Sequence, residues 1–130
     1  MKHSLAVAVA LVLCGCAGNA AQLQSERGYR VEWLGEHPLI DRSHLTLTLD
    51  ADGRAHGSAG CNSWFASYTQ AGERLSFGAV GTTRKLCAPA LMEQEARFLH
   101  SLGQVERWDF SQQQLRLWPS TGQPIRLWAQ

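Results

Sequence analysis

Apolar and polar residues alternate with a period of two along most of the chain, which predicts β-strands with one buried face. The alternation is strict from Leu45 to Leu49, where leucine and threonine take turns. Residues typical of turns separate the predicted strands. Eight segments have this pattern: residues 29–33, 45–49, 54–60, 65–69, 75–80, 108–110, 115–118 and 125–128. We therefore expect a mainly β (α+β) fold, a small antiparallel β-barrel-like meander of about eight strands.

One segment has helical rather than strand periodicity. Pro89 fits the first position of a helix and Gly103 fits its end. Between them, six apolar residues fall on one arc at 3.6 residues per turn: Leu91, Met92, Ala96, Phe98, Leu99 and Leu102. We predict one amphipathic helix over about 90–102, packed across one mouth or face of the sheet.

The N-terminus has the pattern of a secretory signal peptide. A positive start at Lys2 precedes nine consecutive apolar residues, 5–13. A membrane span needs about 20 apolar residues, so this run is too short to cross a bilayer but suits the centre of a signal. Leu13-Cys14-Gly15-Cys16 then resembles a bacterial lipobox, in which only Cys16 fits because bulky Leu13 precedes Cys14. The predicted organisation is a signal peptide at 1–15, a flexible tether at 16–28 and a folded domain at 29–130.

The likeness to a lipobox implies lipidation of Cys16. Its sulfur would carry a diacylglyceryl group and its amine a third acyl chain such as palmitate, enough chains for stable anchoring. Ala17 follows Cys16 where a lipoprotein retained in the inner membrane usually has Asp, so the expected location is the outer membrane, with the domain facing the periplasm. The alternative is an exported protein without lipid, cleaved near Ala17 or Ala21.

Cysteine usage then predicts a disulfide. Cys14 leaves with the signal and Cys16 carries lipid, so Cys61 and Cys87 remain as two thiols in an oxidising compartment, with one possible pairing. The alternative is a catalytic or redox cysteine, for which the sequence offers no Cys-x-x-Cys motif and no identifiable histidine base.

Glu95 lies inside the apolar arc of the predicted helix, where a free carboxylate is unfavourable. Arg84 is the candidate partner for an ion pair, because a bridged Cys87 would hold residues 82–86 close to the helix start. The alternative is an exposed Glu95 that interacts favourably with the helix dipole.

Charge and motif content exclude several function classes. The net charge is +1, and without Lys2 acidic and basic residues balance, which argues against a nucleic-acid partner. The histidines of the predicted domain have no metal-ligand spacing, and Asp50-Ala51-Asp52-Gly53 fits a hairpin turn better than a calcium loop. The chain has no Gly-x-Ser-x-Gly frame and no phosphate loop. We predict no catalytic residues, no metal and no cofactor. The histidines of the predicted domain are His37, His44, His56 and His100.

The last two predicted strands carry a candidate interaction surface. In each strand the aliphatic residues share one face, so the other face carries Arg116, Trp118, Arg126 and Trp128. If the aliphatic face is the core, guanidinium and indole groups lie outside within cation–π reach. Such a patch suits a protein partner, lipid headgroups or peptidoglycan-associated material. The alternative is that a neighbouring loop covers the tryptophans and they serve only packing.

The order of several motifs resembles the META domain of the HslJ-like heat-shock lipoprotein family over about residues 29–128. The motifs are Gly57-Ser58-Ala59-Gly60-Cys61-Asn62, Tyr68, Leu75-Ser76-Phe77-Gly78, Thr82-Thr83-Arg84, Cys87-Ala88-Pro89, Met92-Glu93-Gln94-Glu95 and Phe98-Leu99. The resemblance implies a small β-barrel-like fold with one helix, a Cys61–Cys87 bridge and no established enzymatic activity. It also implies a loose association with heat shock and other envelope stress.

Two functions from different classes follow from these observations. The first is a non-enzymatic, outer-membrane-anchored envelope lipoprotein, a stress-related or protein-interaction module whose partners are the membrane, through Cys16, and an envelope protein. The second is a carrier of a lipid or another apolar ligand inside the barrel, motivated by the strand alternation and a helix that could cover one end. An enzyme would need a cluster of His, Asp or Glu that the sequence does not display.

Overall fold

The computed structural model describes residues 23–130, so the predicted signal peptide and Cys16 lie outside the described residues. Within this range the chain forms ten strands and one α-helix, α1 (Pro89–Gly103). The strands are β1 (Gly28–Leu34), β2 (His37–Pro38), β3 (Thr46–Leu49), β4 (Arg54–Ser58), β5 (Ser63–Ala71), β6 (Arg74–Phe77), β7 (Gly81–Thr82), β8 (Val105–Ser111), β9 (Gln114–Pro119) and β10 (Ile125–Ala129).

Eight of these strands close into an antiparallel barrel in the order β1, β3, β4, β5, β6, β8, β9 and β10. The barrel closes where β10 pairs with β1, with Val31 opposite Leu127. The helix α1 lies between β6 and β8 in the chain, and Arg74 pairs with Arg107 where these strands meet. The two-residue strands β2 and β7 are additions paired with β1 and β5. The predicted barrel-like meander of about eight strands is confirmed.

The alternating apolar residues fill the inside of the barrel. Leu45, Leu47 and Leu49 are almost completely buried, as the strict alternation of that segment predicts. The largest fully buried side chains are those of Trp64 and Tyr29. The indole Nε1 of Trp64 donates to the backbone oxygen of Thr46 at 3.0 Å, so this aromatic core residue leaves no buried donor unpaired.

Two glycines serve defined roles in the β3–β4–β5 part of the barrel. Gly53 ends the predicted turn, where its φ of +85° is a conformation that residues with side chains rarely adopt, and its N–H donates to the oxygen of Asp50 at 3.3 Å. Gly57 allows close approach of β4 to β3, because a Cβ there would lie only 2.0 Å from the backbone oxygen of Thr46. The predicted hairpin turn is confirmed.

The helix α1 covers one mouth of the barrel. It begins at Pro89, as the sequence predicts, because proline has no N–H to leave unpaired in the first turn. Phe98 and Leu102 are fully buried, and Phe98 packs edge to face on Trp64 with ring centroids 5.9 Å apart. Two polar residues, Gln94 and Glu95, are buried on the same side of the helix. The face of α1 that meets the barrel therefore combines apolar packing with hydrogen bonding.

Candidate functional site

The Cys61–Cys87 disulfide is present, with the two Cα atoms 6.0 Å apart. It joins the turn before β5 to the segment that enters α1, so it closes a loop containing β5, β6 and β7. This bridge confirms the pairing that was predicted because Cys61 and Cys87 are the two cysteines of the predicted domain.

A buried polar cluster lies beside this disulfide. The Glu95 carboxylate accepts from the backbone N–H of Asn62 at 3.1 Å and from the Asn62 amide at 2.9 Å. The same Asn62 side chain accepts from Lys85 N at 2.6 Å and from the Thr83 hydroxyl at 3.0 Å. Asn62 therefore fastens three pieces of chain to one another: the turn before β5, the segment 83–85 and α1.

The expected Arg84–Glu95 ion pair is not formed, and the prediction of Arg84 as the partner of Glu95 was wrong. Arg84 is exposed, and no ion pair found within residues 23–130 joins it to Glu95. The alternative of an exposed Glu95 was also wrong, because the residue is buried. The physical reason is that the Asn62 donors satisfy the carboxylate without a counter-charge.

Gln94 performs the equivalent task one residue earlier on the helix. Its Oε1 accepts from the backbone N–H of Ile40 at 2.8 Å, and its amide donates to the hydroxyl of Ser43 at 2.9 Å. Adjacent polar residues of α1 thus hold two different loops, one on each side. Gln94 was not predicted as a functional residue, although its place in the Met92-Glu93-Gln94-Glu95 motif was a signal for it.

The predicted interaction surface lies on the outer side of the barrel, across β8, β9, β10 and β1. We call it the Arg–Trp face, and it consists of Trp33, Arg107, Asp109, Arg116, Trp118 and Arg126. Strand register places Arg107 opposite Trp118, Asp109 opposite Arg116 and Arg116 opposite Arg126. The inward residues between them belong to the core, so this face points away from it.

Asp109 organises the centre of the Arg–Trp face. It accepts from Nε and Nη2 of Arg116 at 2.7 and 2.8 Å, a bidentate pair, and from the indole Nε1 of Trp118 at 3.1 Å. The guanidinium groups of Arg107 and Arg116 lie 4.6 and 5.2 Å from the centroid of the Trp118 ring. The Trp118 side chain is therefore held by its hydrogen bond to Asp109 and by cation–π contacts with Arg107 and Arg116.

The electrostatics of this centre keep Asp109 ionised. Partial burial acts to raise the pKa of Asp109, but hydrogen bonds from Arg116 and Trp118, together with the nearby positive charges, outweigh it, so the pKa lies below its usual value. The hydrogen bond to Asp109 in turn raises the pKa of Arg116. The centre is a fixed arrangement of charges and rings at neutral pH.

The other two predicted surface residues have different neighbours. Arg126 lies over Trp33, 5.8 Å from its ring centroid, and Trp33 is 38% exposed. Trp128 lies nearer the other end of β10, opposite Gln114 and Arg30, and is half-buried. It lines a surface cavity to which Tyr29 and Phe110 also contribute. The structure thus places all four residues outside the core but groups only Arg116, Trp118 and Arg126 in one face.

Sequence reasoning missed three members of the Arg–Trp face. Asp109 lies between Trp108 and Phe110 in a predicted strand, and this alternation was a signal that it points outward. Its partners were not readable, because pairing Asp109 with Arg116 depends on the register of β8 against β9. Trp33 and Arg107 belong to strands whose neighbours the sequence does not specify.

Neither a metal-ligand cluster nor a membrane-spanning helix occurs among the residues that the structure describes. Within 23–130, no three side chains of His, Cys, Asp and Glu lie close enough together to hold a metal ion. His56 contacts Asp50 at 3.2 Å on the exposed side of the β3–β4 hairpin. In the same range, α1 has 15 residues, and no helix is long and apolar enough to cross a membrane.

Comparison with known proteins relates this geometry to solved folds. A protein from Burkholderia xenovorans, solved by NMR, is 26% identical with a TM-score of 0.70, and the match covers 100% of this chain and 98% of that one. A second NMR structure is 20% identical with a TM-score of 0.61, covering 78% of this chain and 86% of the other. A crystal structure of a DUF4847 family protein from Bacteroides vulgatus is 16% identical with a TM-score of 0.51, covering 65% of this chain and 57% of that one.

No curated protein matches the sequence. The family model described as META domain matches residues 21–130, which include every strand of the barrel and the helix. The resemblance noted from the motifs is thereby confirmed, and this chain belongs to the META domain family.

Proposed function

We propose that this chain is a lipoprotein of the cell envelope, anchored in the outer membrane through Cys16, whose META domain is a non-enzymatic interaction module. In this proposal the Arg–Trp face binds a protein partner in the periplasm and contributes to tolerance of envelope stress. The observation that carries it is the pre-arranged centre in which Asp109 orients Arg116 and Trp118.

The composition of the Arg–Trp face supports a protein partner. Arginine and tryptophan are the residues most often found to dominate binding energy at protein interfaces. Three arginines against one aspartate leave a positive surface, which favours an acidic segment of the partner. Because Trp118 and Arg116 are already held in place, binding would order fewer side chains, and this lowers the entropy cost of association.

The position of the predicted anchor is compatible with this role. Six residues lie between Cys16 and Leu23, the first described residue, and the seven peptide units that join them span at most about 25 Å. The domain would therefore remain near the membrane surface, where its partners would be other envelope proteins.

The second function, a carrier with its ligand inside the barrel, has no observation in its favour. Leucines from β3, β9 and β10 occupy the interior together with Trp64 and Phe98, and each of these side chains is buried to within a few per cent. A ligand inside the barrel would have to displace this packed core.

Site-specific photocrosslinking tests the interaction. A benzoylphenylalanine would replace Trp33, at the edge of the Arg–Trp face, in the full chain expressed in a bacterial envelope. We expect a discrete protein adduct that disappears when Arg116→Ala and Trp118→Ala are added. Benzoylphenylalanine at exposed Thr69 on β5 is the positional control, and Arg54→Ala, which removes an exposed arginine from β4, is the charge control. Melting temperatures show whether each variant is folded.

The proposal fails if the adduct persists in the double variant, or if the Thr69 probe gives the same adducts. It also fails if no reproducible adduct forms and a strain lacking the protein survives heat and antibiotics like the wild type. The anchor has its own test: labelled palmitate should enter the wild-type chain but not Cys16→Ser, which should leave the membrane fraction. Equal labelling of both would refute lipidation at Cys16.

A further inference from the structure

We propose that α1 and the segment before it form a docking groove for an acidic, amphipathic segment of a second protein. It is an open depression of about 370 Å³ between the helix and residues 82–86. The groove is separate from the Arg–Trp face and does not depend on the function proposed for that face. We call it the α1 groove, and its outer part consists of Arg84, Lys85, Leu86, Met92, Ala96 and Leu99.

The apolar part of the α1 groove is accessible to a partner. The Leu86 side chain is 90% exposed and that of Met92 is 37% exposed, while Ala96 is exposed and Leu99 is half-buried. Met92, Ala96 and Leu99 are spaced at i, i+4 and i+7, so they form one stripe along α1. Exposed apolar patches with a polar rim mark sites of interaction with proteins or membranes.

The backbone on both sides of Leu86 is fixed. The N–H of Lys85 donates to Oδ1 of Asn62 at 2.6 Å, and the oxygen of Lys85 accepts from Nδ2 of Asn62 at 3.3 Å. On the other side, Cys87 is joined to Cys61 by the disulfide. Leu86 is therefore presented to solvent on a restrained segment, and a partner that covered it would have little backbone to order.

The rim of the α1 groove is positive. Arg84 and Lys85 are both exposed, and no ion pair found within residues 23–130 includes either of them. The N-terminus of α1 begins three residues after Leu86 and adds the positive end of the helix dipole. Its first turn contains no acidic residue, and among the described residues no side chain caps it.

The acidic residues nearest to the groove do not cancel this charge. Glu95 lines its inner end, but the residue is buried and its carboxylate accepts from Asn62 at 2.9 and 3.1 Å. Glu93 is turned by about 100° from Met92 around the helix and contacts Arg97 at 3.4 Å. A partner segment that carries carboxylates beside its apolar anchors therefore complements the groove.

The place of the groove in the barrel favours a protein over the membrane as its occupant. The tether enters the domain beside the end of β3, where the N–H of Glu26 donates to the oxygen of Leu49 at 2.7 Å. The groove lies beside the start of β5, where the N–H of Thr83 donates to the oxygen of Ser63 at 3.0 Å. Because β3, β4 and β5 are consecutive antiparallel strands, these two points are at opposite ends of the barrel. A chain anchored through Cys16 would thus direct the groove away from its own membrane.

The α1 groove and the Arg–Trp face also lie on different sides of the barrel. The groove borders β5 through the pairing of Thr82 with Trp64, whereas the Arg–Trp face lies on β8, β9, β10 and β1. In the eight-strand barrel β5 and β10 are four strands apart, so the two surfaces face opposite directions. The domain could therefore hold two partners at once.

The test uses three synthetic peptides of about twelve residues. In the first, pairs of leucines alternate with pairs of glutamates; in the second, lysine replaces every glutamate; in the third, serine replaces every leucine. The protein is the full chain carrying Cys16→Ser, and NMR of the methyl groups of Leu86, Met92 and Leu99 locates binding. We expect saturable shifts at these methyl groups with the first peptide, and binding of the other two that is weaker by at least about tenfold.

Two variants with matched controls make the assignment specific. Leu86→Ser should weaken the first peptide about tenfold, whereas Ile40→Ser, at an exposed apolar residue outside the groove, should not. Arg84→Gln/Lys85→Gln should weaken it about fivefold and reduce the salt dependence of binding, whereas Arg27→Gln/Arg54→Gln should do neither. All the changed side chains are exposed, so the melting temperatures should stay close to that of the unchanged chain.

Several results would overturn the inference. The first peptide could fail to shift the groove methyl groups, the lysine peptide could bind as tightly, or Leu86→Ser could have no effect. Vesicles of phosphatidylglycerol that shift the same methyl groups more strongly than the peptide would identify a membrane as the occupant. Shifts at Leu86 and Met92 that follow protein concentration without peptide would identify a second copy of this chain.

Discussion

At the scale of single residues, the hydrogen bonds of Asn62 constrain which side chain can occupy its position. Its amide donates to Glu95 at 2.9 Å and to the Lys85 oxygen at 3.3 Å, and its own oxygen accepts from Lys85 and Thr83. A side chain that both donates and accepts is needed here, because the Glu95 carboxylate and the Lys85 carbonyl accept hydrogen bonds, whereas the Lys85 N–H and the Thr83 hydroxyl donate them. Neither a larger nor a purely apolar residue satisfies both requirements.

Exchanging the amide and the acid between positions 62 and 95 tests whether the hydrogen bond from Asn62 to Glu95 stabilises the fold. Asn62→Asp should destabilise the protein by about 2–4 kcal/mol, because it places a second carboxylate against Glu95 in a buried site. Adding Glu95→Gln should restore about half of that loss or more, since a side-chain amide again faces a carboxylate. Urea unfolding at pH 7 measures both changes, and Glu95→Gln alone is the matched control.

The pH dependence gives an independent check on the same variant. Two carboxylates in contact raise the pKa of at least one of them in the folded state. The Asn62→Asp chain should therefore gain stability relative to wild type as the pH falls from 7 toward 5, where the shared site binds a proton. If the deficit is the same at both pH values, or if the double variant is no better than Asn62→Asp, the cluster does not work as described.

At the scale of elements, the sequence predicts most of this fold. The helix was expected over about 90–102 and extends from Pro89 to Gly103, and each of the eight expected strands has a counterpart in the barrel. The partners of these elements were not predictable. Alternation shows which side of a strand is buried, but the contact of Asp109 with Arg116 depends on the register between strands, and that of Asn62 with Glu95 spans 33 residues of chain.

The β8–β9 pair carries a prediction about acid stability. The pKa of Asp109 is lower in the folded protein than its usual value of about 3.9, so ionised Asp109 stabilises the fold above that pH, and this contribution is lost as the pH falls through the folded pKa. Asp109→Asn should cost about 1 kcal/mol between pH 5 and 8, a modest amount because the pair is partly exposed.

The difference in stability between wild type and Asp109→Asn should disappear in acid. Below pH 4 the difference between wild type and Asp109→Asn should shrink steadily, and it should approach zero once the pH has fallen through the lowered pKa of folded Asp109, where the carboxylate takes up a proton. Asp41→Asn, at an exposed position on the β2–β3 connection, should change stability by less than about 0.5 kcal/mol at any pH. Thermal unfolding from pH 3 to 8 measures all three chains, and a difference that grows in acid would contradict the assignment.

At the scale of the whole molecule, closure of the barrel depends on contacts between distant parts of the chain. β1 pairs with β10 at the two ends of the domain, and β6 reaches β8 across the helix. No local pattern encodes either pairing, which is why the sequence predicted a meander or barrel without choosing its order of closure. The disulfide was the exception, because the predicted domain contains two cysteines, and two cysteines leave one pairing to consider.

The disulfide closes a loop of 26 residues that contains three strands, so its removal should affect the entire barrel. In the chain-entropy model such a loop is worth about 3.5 kcal/mol, a large share of the roughly 5–15 kcal/mol that stabilises a domain. The Asn62 cluster holds the same two segments, so the variant Cys61→Ser/Cys87→Ser should still fold at 25 °C, with a melting temperature lower by about 10 °C or more. The unreduced wild type should weigh two hydrogens less than the reduced form. Free thiols at both positions, or an unchanged melting temperature, would show that the bridge does not restrain the unfolded chain.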